Sequence, residues 1–371
     1  FHPLLCMIME CGWILPPKLE HRHREIMTPN GPQSKIVDTL GRPMGDLRIS
    51  LSDRCNLRCT YCMPKAIFGD SYQFLRNEEL LTFDQIVRLS RAYLDLGVTK
   101  IRLTGGEPLL RKGLPELVER LVALEGLDDL ALTTNGVLLR DYAQALRDAG
   151  LRRITVSLDS LDPEVSETMN GEYVSPDKVI AGIDAAATCG FDSIKINTVV
   201  QRGVNDHTLV DLARHFRNTP HILRFIEYMD VGNRNNWKLD EVVSAQEIIE
   251  MIGAEFPLIP LDKHYDSEVA TRYGYADGSG EIGFISSVTK TFCGDCTRAR
   301  ISADGHLYTC LFAGSGIDLK PQLGEGVSDE DLAAFLTDIW TKRDDRYSEL
   351  RSSMTDFDQH QRKVEMYQIG G

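Results

Sequence analysis

The chain has 371 residues, with 41 Lys and Arg against 55 Asp and Glu, a formal charge of −14, and 42% hydrophobic and 26% charged residues. That acidic balance excludes bulk nucleic acid as a partner, because phosphate binding needs a basic surface or stripe. The composition also excludes collagen-like, disordered and disulfide-scaffold classes and allows a large buried core.

The apolar run at 4–9 stops at Glu10, far short of the roughly 18 residues of a membrane-spanning helix, so no membrane crossing is expected. No basic leader with a small-residue cleavage site precedes it, which argues against secretion. Residues 1–45 carry Pro16, Pro17, Pro29 and Pro32 without periodicity and read as an extension and lead-in. From Asp46 the pattern becomes regular. Strands are predicted at 46–52, 100–104, 129–134, 153–159, 193–200 and 221–229, with amphipathic helices near 83–97, 114–124, 138–149, 176–189 and 206–217.

Such βα alternation demands a parallel sheet with right-handed crossovers. Six units predict an α/β fold, a partial (β/α)6 TIM-like barrel over 46–229 with its chemistry at the C-terminal strand ends. After Met229 the alternation fails, and 230–371 is expected to close the open side, its cysteines facing the first group. Within that region Ser328 is a predicted N-cap for a helix reaching about Arg343, and the chain ends in Gly370-Gly371.

Six of the nine cysteines fall in two triads, Cys55, Cys59 and Cys62 as C-x3-C-x2-C and Cys293, Cys296 and Cys310 as C-x2-C-x13-C. Odd numbers of thiols suit metal ligation better than disulfides, and thiolate ligands require a reducing, cytoplasmic compartment. Cys6 and Cys11 have no assigned role, and Cys189, late in a helix, reads as a buried hydrophobe. The first triad follows a strand directly. Three thiolates hold three irons of a cubane and leave the fourth iron open. Structural zinc, the competing use, wants four ligands in two close pairs, and no nearby His or fourth Cys completes such a set.

With Tyr61 inside it, the first triad resembles the C-x3-C-x-aromatic-C signature of the radical S-adenosylmethionine superfamily. Gly105-Gly106-Glu107-Pro108, after the second strand, resembles that superfamily's turn for the methionine amino group. The second triad, with Arg298 and Arg300 beside it, the Gly-Gly end and the stretch from Gly41-Arg42 through Arg48 to Met63-Pro64, resembles the molybdenum cofactor biosynthesis protein A family of GTP 3',8-cyclases over roughly 38–371.

The resemblance implies two [4Fe-4S] clusters, S-adenosylmethionine held by Tyr61, Gly105, Gly106, Glu107, Ser157 and Met229, and GTP held by Arg48, Arg102, Thr133, Lys195, Arg298, Ala299 and Arg300. Paired guanidinium donors suit a triphosphate. It also implies a reductant such as flavodoxin or ferredoxin, a downstream cyclic pyranopterin monophosphate synthase, a homodimer, and a tail at Gly370 and Gly371 reaching the active site. Two competing readings are a peptide-modifying radical enzyme with an auxiliary cluster, which would carry more C-terminal cysteines, and a non-catalytic iron-sulfur or zinc redox sensor.

Overall fold

The computed structural model describes residues 36–172, 174–191, 193–265, 267–353 and 363–370. Cys6, Cys11 and most of the predicted extension lie outside the described residues, as does Gly371. Residues 35–371 form one compact unit.

The predicted strands are present as β1 (Asp46–Ser50), β2 (Lys100–Thr104), β3 (Asp129–Thr134), β4 (Arg153–Ser157), β5 (Lys195–Val200) and β6 (Ile222–Glu227). Where strands at 46–52, 153–159 and 221–229 were expected to run on, the chain leaves the ladder two residues early, and those residues enter the loops at the strand ends. Helices α1 (Phe83–Asp95), α2 (Leu114–Val122), α3 (Leu139–Asp148), α4 (Pro163–Asn170), α5 (Pro176–Thr188) and α6 (Leu209–Phe216) connect them. α1 starts at a reciprocal cap, Thr82 with Gln85, which satisfies two orphan backbone donors. Cys189 caps the end of α5 and is half-buried against the core.

Strands on both sides of Met229 belong to one sheet. After α7 (Ala245–Glu255) come β7 (Leu258–Leu261), β8 (Thr271–Tyr275), β9 (Glu281–Ile285), β10 (Arg298–Ile301), β11 (His306–Tyr308) and β12 (Ile317–Asp318). The sheet order is β12-β11-β10-β1-β2-β3-β4-β5-β6-β9-β8-β7. β9 pairs parallel to β6 and β10 parallel to β1, so eight neighbouring strands are parallel and the outer ones are antiparallel. The helix α8 (Asp329–Thr341) starts at Ser328, whose hydroxyl accepts from the Asp331 amide, and two short helices, α9 (Tyr347–Leu350) and α10 (Met366–Ile369), follow.

Side chains alternate across a strand, and here one set of faces packs into the main core while the other lines the interior. Leu47 and Ile49, Ile101 and Leu103, Ile154 and Val156, and Ala299 and Ile301 share the core. Arg48, Arg102, Lys195, Asn197, Arg224, Arg298 and Arg300 face the interior cavity.

Candidate active site

The first triad sits at the C-terminal end of β1. Its loop is stitched to its neighbours by backbone: the Gly106 amide donates to the Ser52 carbonyl at 2.8 Å and the Glu107 amide to Arg54 at 2.8 Å. A Cβ on Gly105 would stand 2.5 Å from the Ser52 oxygen, and one on Gly106 2.3 Å from that of Arg54. Only glycine admits so close a backbone approach. On the other side, Arg58 and Thr60 donate to the carbonyls of Asn170 and Met169 at the end of α4.

Cys55, Cys59 and Cys62 line one cavity with Tyr61, Gly105, Gly106, Asn135, Ser157 and Met229. Tyr61 donates to the Asp159 carboxylate at 2.8 Å. Burial, with Glu107 close by, pushes the Cys55 thiol up to about 11, and burial with neighbouring acidic groups raises Cys59 and Cys62 as well. Three thiolates there require more positive charge than Arg58, which lowers Cys55 only slightly against burial, brings. Iron supplies it. Among the described residues no three thiol, imidazole or carboxylate groups converge on a single ion, whereas cubane thiolates each take a separate iron. The donor set therefore fits an iron-sulfur cluster better than zinc.

Glu107 does not face this cavity. It is fully buried and accepts from the Leu109 amide (2.9 Å), the Thr134 hydroxyl (2.8 Å) and the Asn135 amide (2.8 Å). All three partners belong to the protein, so the carboxylate ties the glycine turn to the loop after β3. Burial lifts it to about 7. The carboxylate is thus committed to the protein, and a contact of residue 107 with S-adenosylmethionine would be made through its backbone.

The second triad lies at the opposite end of the strands. Asp46 is level with Arg298 in the β1–β10 ladder, so Cys293 and Cys296 precede the N-terminal ends, and Cys310 returns there after β11. A strand length, on the order of 15 Å, separates the two triads, contrary to the expectation that chemistry gathers at one end. Arg42 and Arg343 hold this loop, donating to the carbonyls of Cys293 and Cys296, each at 2.8 Å. Both arginines pair with the buried Asp38, at 2.6 and 3.0 Å. Burial would raise the Cys296 thiol, but Arg298 and Arg343 bring it down to about 6, while burial and Asp345 push Cys310 up to about 12.

Cys293, Cys296 and Cys310 line a second cavity with Arg48, Arg102, Thr133, Arg153, Lys195, Arg224, Arg298 and Arg300. Ala299 is absent from it. Alternation turns its methyl outward into the core, where it is 1% exposed, so side-chain contact with a ligand in the cavity is excluded. The two cavities share Thr133, Asn197, Ile226 and Met229. α10 ends at Gly370, which has φ +66° and lies against Thr104, its carbonyl accepting from Arg300 at 2.6 Å. One turn earlier, the Tyr367 amide donates to Cys62.

Residues 49–216 match the family model for the Radical SAM superfamily, and residues 221–349 match that for Molybdenum Cofactor Synthesis C. A GTP 3',8-cyclase of Xanthomonas campestris pv. campestris (strain B100) is 54% identical over 345 residues, 93% of this chain and 100% of the relative. The chain belongs to the GTP 3',8-cyclase family. Further GTP 3',8-cyclases, from Acidothermus cellulolyticus and Staphylococcus haemolyticus, are 51% and 45% identical, each alignment covering 91% of this chain and 99% of the relative. Among solved structures, a radical SAM methyltransferase from Sphaerobacter thermophilus aligns over 70% of this chain and 69% of its own, with TM-score 0.45 and 16% identity.

Three cavity residues of this GTP 3',8-cyclase family member escaped motif matching: Arg153, Asn197 and Arg224. The signal was available in the strands themselves. Lys195 and Asn197 alternate in Lys-Ile-Asn-Thr-Val-Val, and Arg224 sits mid-strand in Ile-Leu-Arg-Phe-Ile-Glu; in strands flanked on both sides by others such residues must face a polar interior.

Proposed function

We infer that the chain is a GTP 3',8-cyclase, a radical S-adenosylmethionine lyase that converts GTP to (8S)-3',8-cyclo-7,8-dihydroguanosine 5'-triphosphate in the first step of molybdenum cofactor biosynthesis. The observation that carries this reading is the pair of cysteine-lined cavities meeting at Thr133, Asn197, Ile226 and Met229. When bound, the reduced cluster and S-adenosylmethionine would supply a 5'-deoxyadenosyl radical that takes the ribose 3' hydrogen of GTP, and the ribose closing onto guanine C8 would then need one further electron from the reductant and a proton to give the dihydro product.

The residues divide that work. Cys55, Cys59 and Cys62 would hold one [4Fe-4S] cluster, and Gly105 and Gly106, on the wall of the same cavity, would lie against S-adenosylmethionine. Tyr61, Ser157 and Met229 would contact S-adenosylmethionine. Cys293, Cys296 and Cys310 would hold the second cluster. Arg48, Arg102, Thr133, Lys195, Arg298 and Arg300 would bind GTP, its charge answered by guanidinium forks. At the junction Ile226 and Met229 keep water from the reacting carbon, and positioning across it is the principal catalytic contribution. Gly370 would hold Arg300 in place, and Gly371 would extend that tail.

A reductant such as flavodoxin or ferredoxin, a cyclic pyranopterin monophosphate synthase consuming the product, a homodimer and a cytoplasmic location complete the proposal. The free thiols of all seven described cysteines support a reducing compartment.

The test is anaerobic incubation of the reconstituted protein with dithionite, S-adenosylmethionine and GTP deuterated at C3'. Expected are 5'-deoxyadenosine carrying the deuterium and a cyclised product. Unlabelled 5'-deoxyadenosine with intact GTP would reject the reading.

A further inference from the structure

We propose that the second cavity takes its nucleotide as the metal-free tetra-anion, so that Mg2+ on the triphosphate competes with the protein instead of bridging to it. The proposal rests on the GTP reading above. Its basis is how the cavity's charges are answered. Arg300, Arg48 and Arg102 stand level on the neighbouring strands β10, β1 and β2. Arg153, Lys195 and Arg224 line the same space from β4, β5 and β6, with Arg298 at the base.

Three of these donors meet neutral groups. Arg102 donates to the Thr133 and Thr155 hydroxyls at 3.0 and 3.1 Å, Arg224 to the Asn197 amide oxygen at 2.7 and 3.0 Å, and Arg300 to the Gly370 carbonyl. Arg298 lies beside the Cys296 thiol, and Arg153 pairs with Asp129. Arg48 has no ion pair of 4 Å or less among the described residues. Burial and the neighbouring arginines weaken its hold on its proton.

The carboxylates among the described lining residues are Asp46 and Asp295. Asp46 accepts from the Thr297 hydroxyl at 3.0 Å, and Asp295 lies 4.0 Å from Lys263. Proteins that take nucleotides as the magnesium complex supply an oxygen ligand set at the metal and let it bridge phosphate oxygens. This cavity offers guanidinium forks for those same oxygens. A divalent cation there would be repelled and would cancel half the ligand charge that the arginines otherwise answer.

The test uses anaerobic holoprotein with both clusters oxidised and no S-adenosylmethionine, so nothing turns over. GTP binding is measured by equilibrium dialysis while K+ is replaced by Mg2+ at constant ionic strength. Once Mg2+ saturates the nucleotide, the Kd for total GTP should rise at least about tenfold, equivalent to about 1.4 kcal/mol. GMP, a weak Mg2+ ligand, should show no such change. Equal or tighter GTP binding in Mg2+ would overturn the proposal, as would parallel weakening of GMP. Absence of GTP binding in both conditions would overturn the substrate reading and this proposal with it.

Discussion

Lys195 is held at about 7, first by burial and then by Arg224, Arg153 and Arg102, with Glu268 acting the other way. In the free protein its proton leaves as pH rises through about 7, and a polyanion beside the amine restores it. GTP binding near pH 8 should therefore take up about one proton, and affinity should fall as pH rises above 7. Calorimetry in two buffers of different ionisation enthalpy reads this directly. Lys195→Met should abolish the difference, and unchanged uptake in that variant would place the proton elsewhere. Gly370 makes a sharper steric case. A methyl there would meet Thr104 Cγ2 at 2.2 Å and Oγ1 at 2.4 Å, at a φ that only glycine adopts freely. Gly370→Ala should lower cyclisation at least about tenfold with iron content unchanged, the loss of near-attack geometry alone being worth that much. Adding Thr104→Ala, which removes both atoms, should recover part of it; no recovery in product yield would mean that the tail acts by another route.

At the scale of elements, the second cysteine loop depends on a brace far from it in sequence. Asp38 is buried and holds both Arg42 and Arg343, and those two arginines hold the carbonyls of Cys293 and Cys296. Removing one member of a buried ion network leaves uncompensated charge and costs about 3–5 kcal/mol. Asp38→Ala should lower stability to chemical denaturation by that order and reduce the iron retained after reconstitution by about half. Full iron at wild-type stability would show that the loop is set otherwise. This brace was only half legible in the sequence. Gly41-Arg42 stood out as a motif, but nothing local joins it to Arg343. The six early strands were legible because β-branched runs alternate with amphipathic helices. β9 and β10 were not, because Glu-Ile-Gly-Phe-Ile and Arg-Ala-Arg-Ile are short, lie between turn-rich loops and owe their strand form to pairing with β6 and β1. The direction of the Ala299 methyl was hidden for the same reason, since it follows only once β10 is known to be a strand. The three partners of the Glu107 carboxylate were not legible either, because they appear only when the loops after β2 and β3 are brought together.

Across the whole molecule, the parallel register puts one cysteine triad beyond each end of the same strands, and the two cavities have four lining residues in common. Apart from those four residues each cavity has its own walls: the first cysteine loop, glycine turn and α10 for one, the arginine strands and the loops before β10 and after β11 for the other. A molecule seated in one need not pass through the other to arrive or depart. Kinetically, this makes addition of the two substrates random, with no obligatory first partner. A dead-end analogue of either should be competitive toward its own substrate and noncompetitive toward the other in initial-velocity measurements under anaerobic turnover. An uncompetitive pattern in either direction would reveal a compulsory sequence, and with it a closing motion that the arrangement of strands does not require.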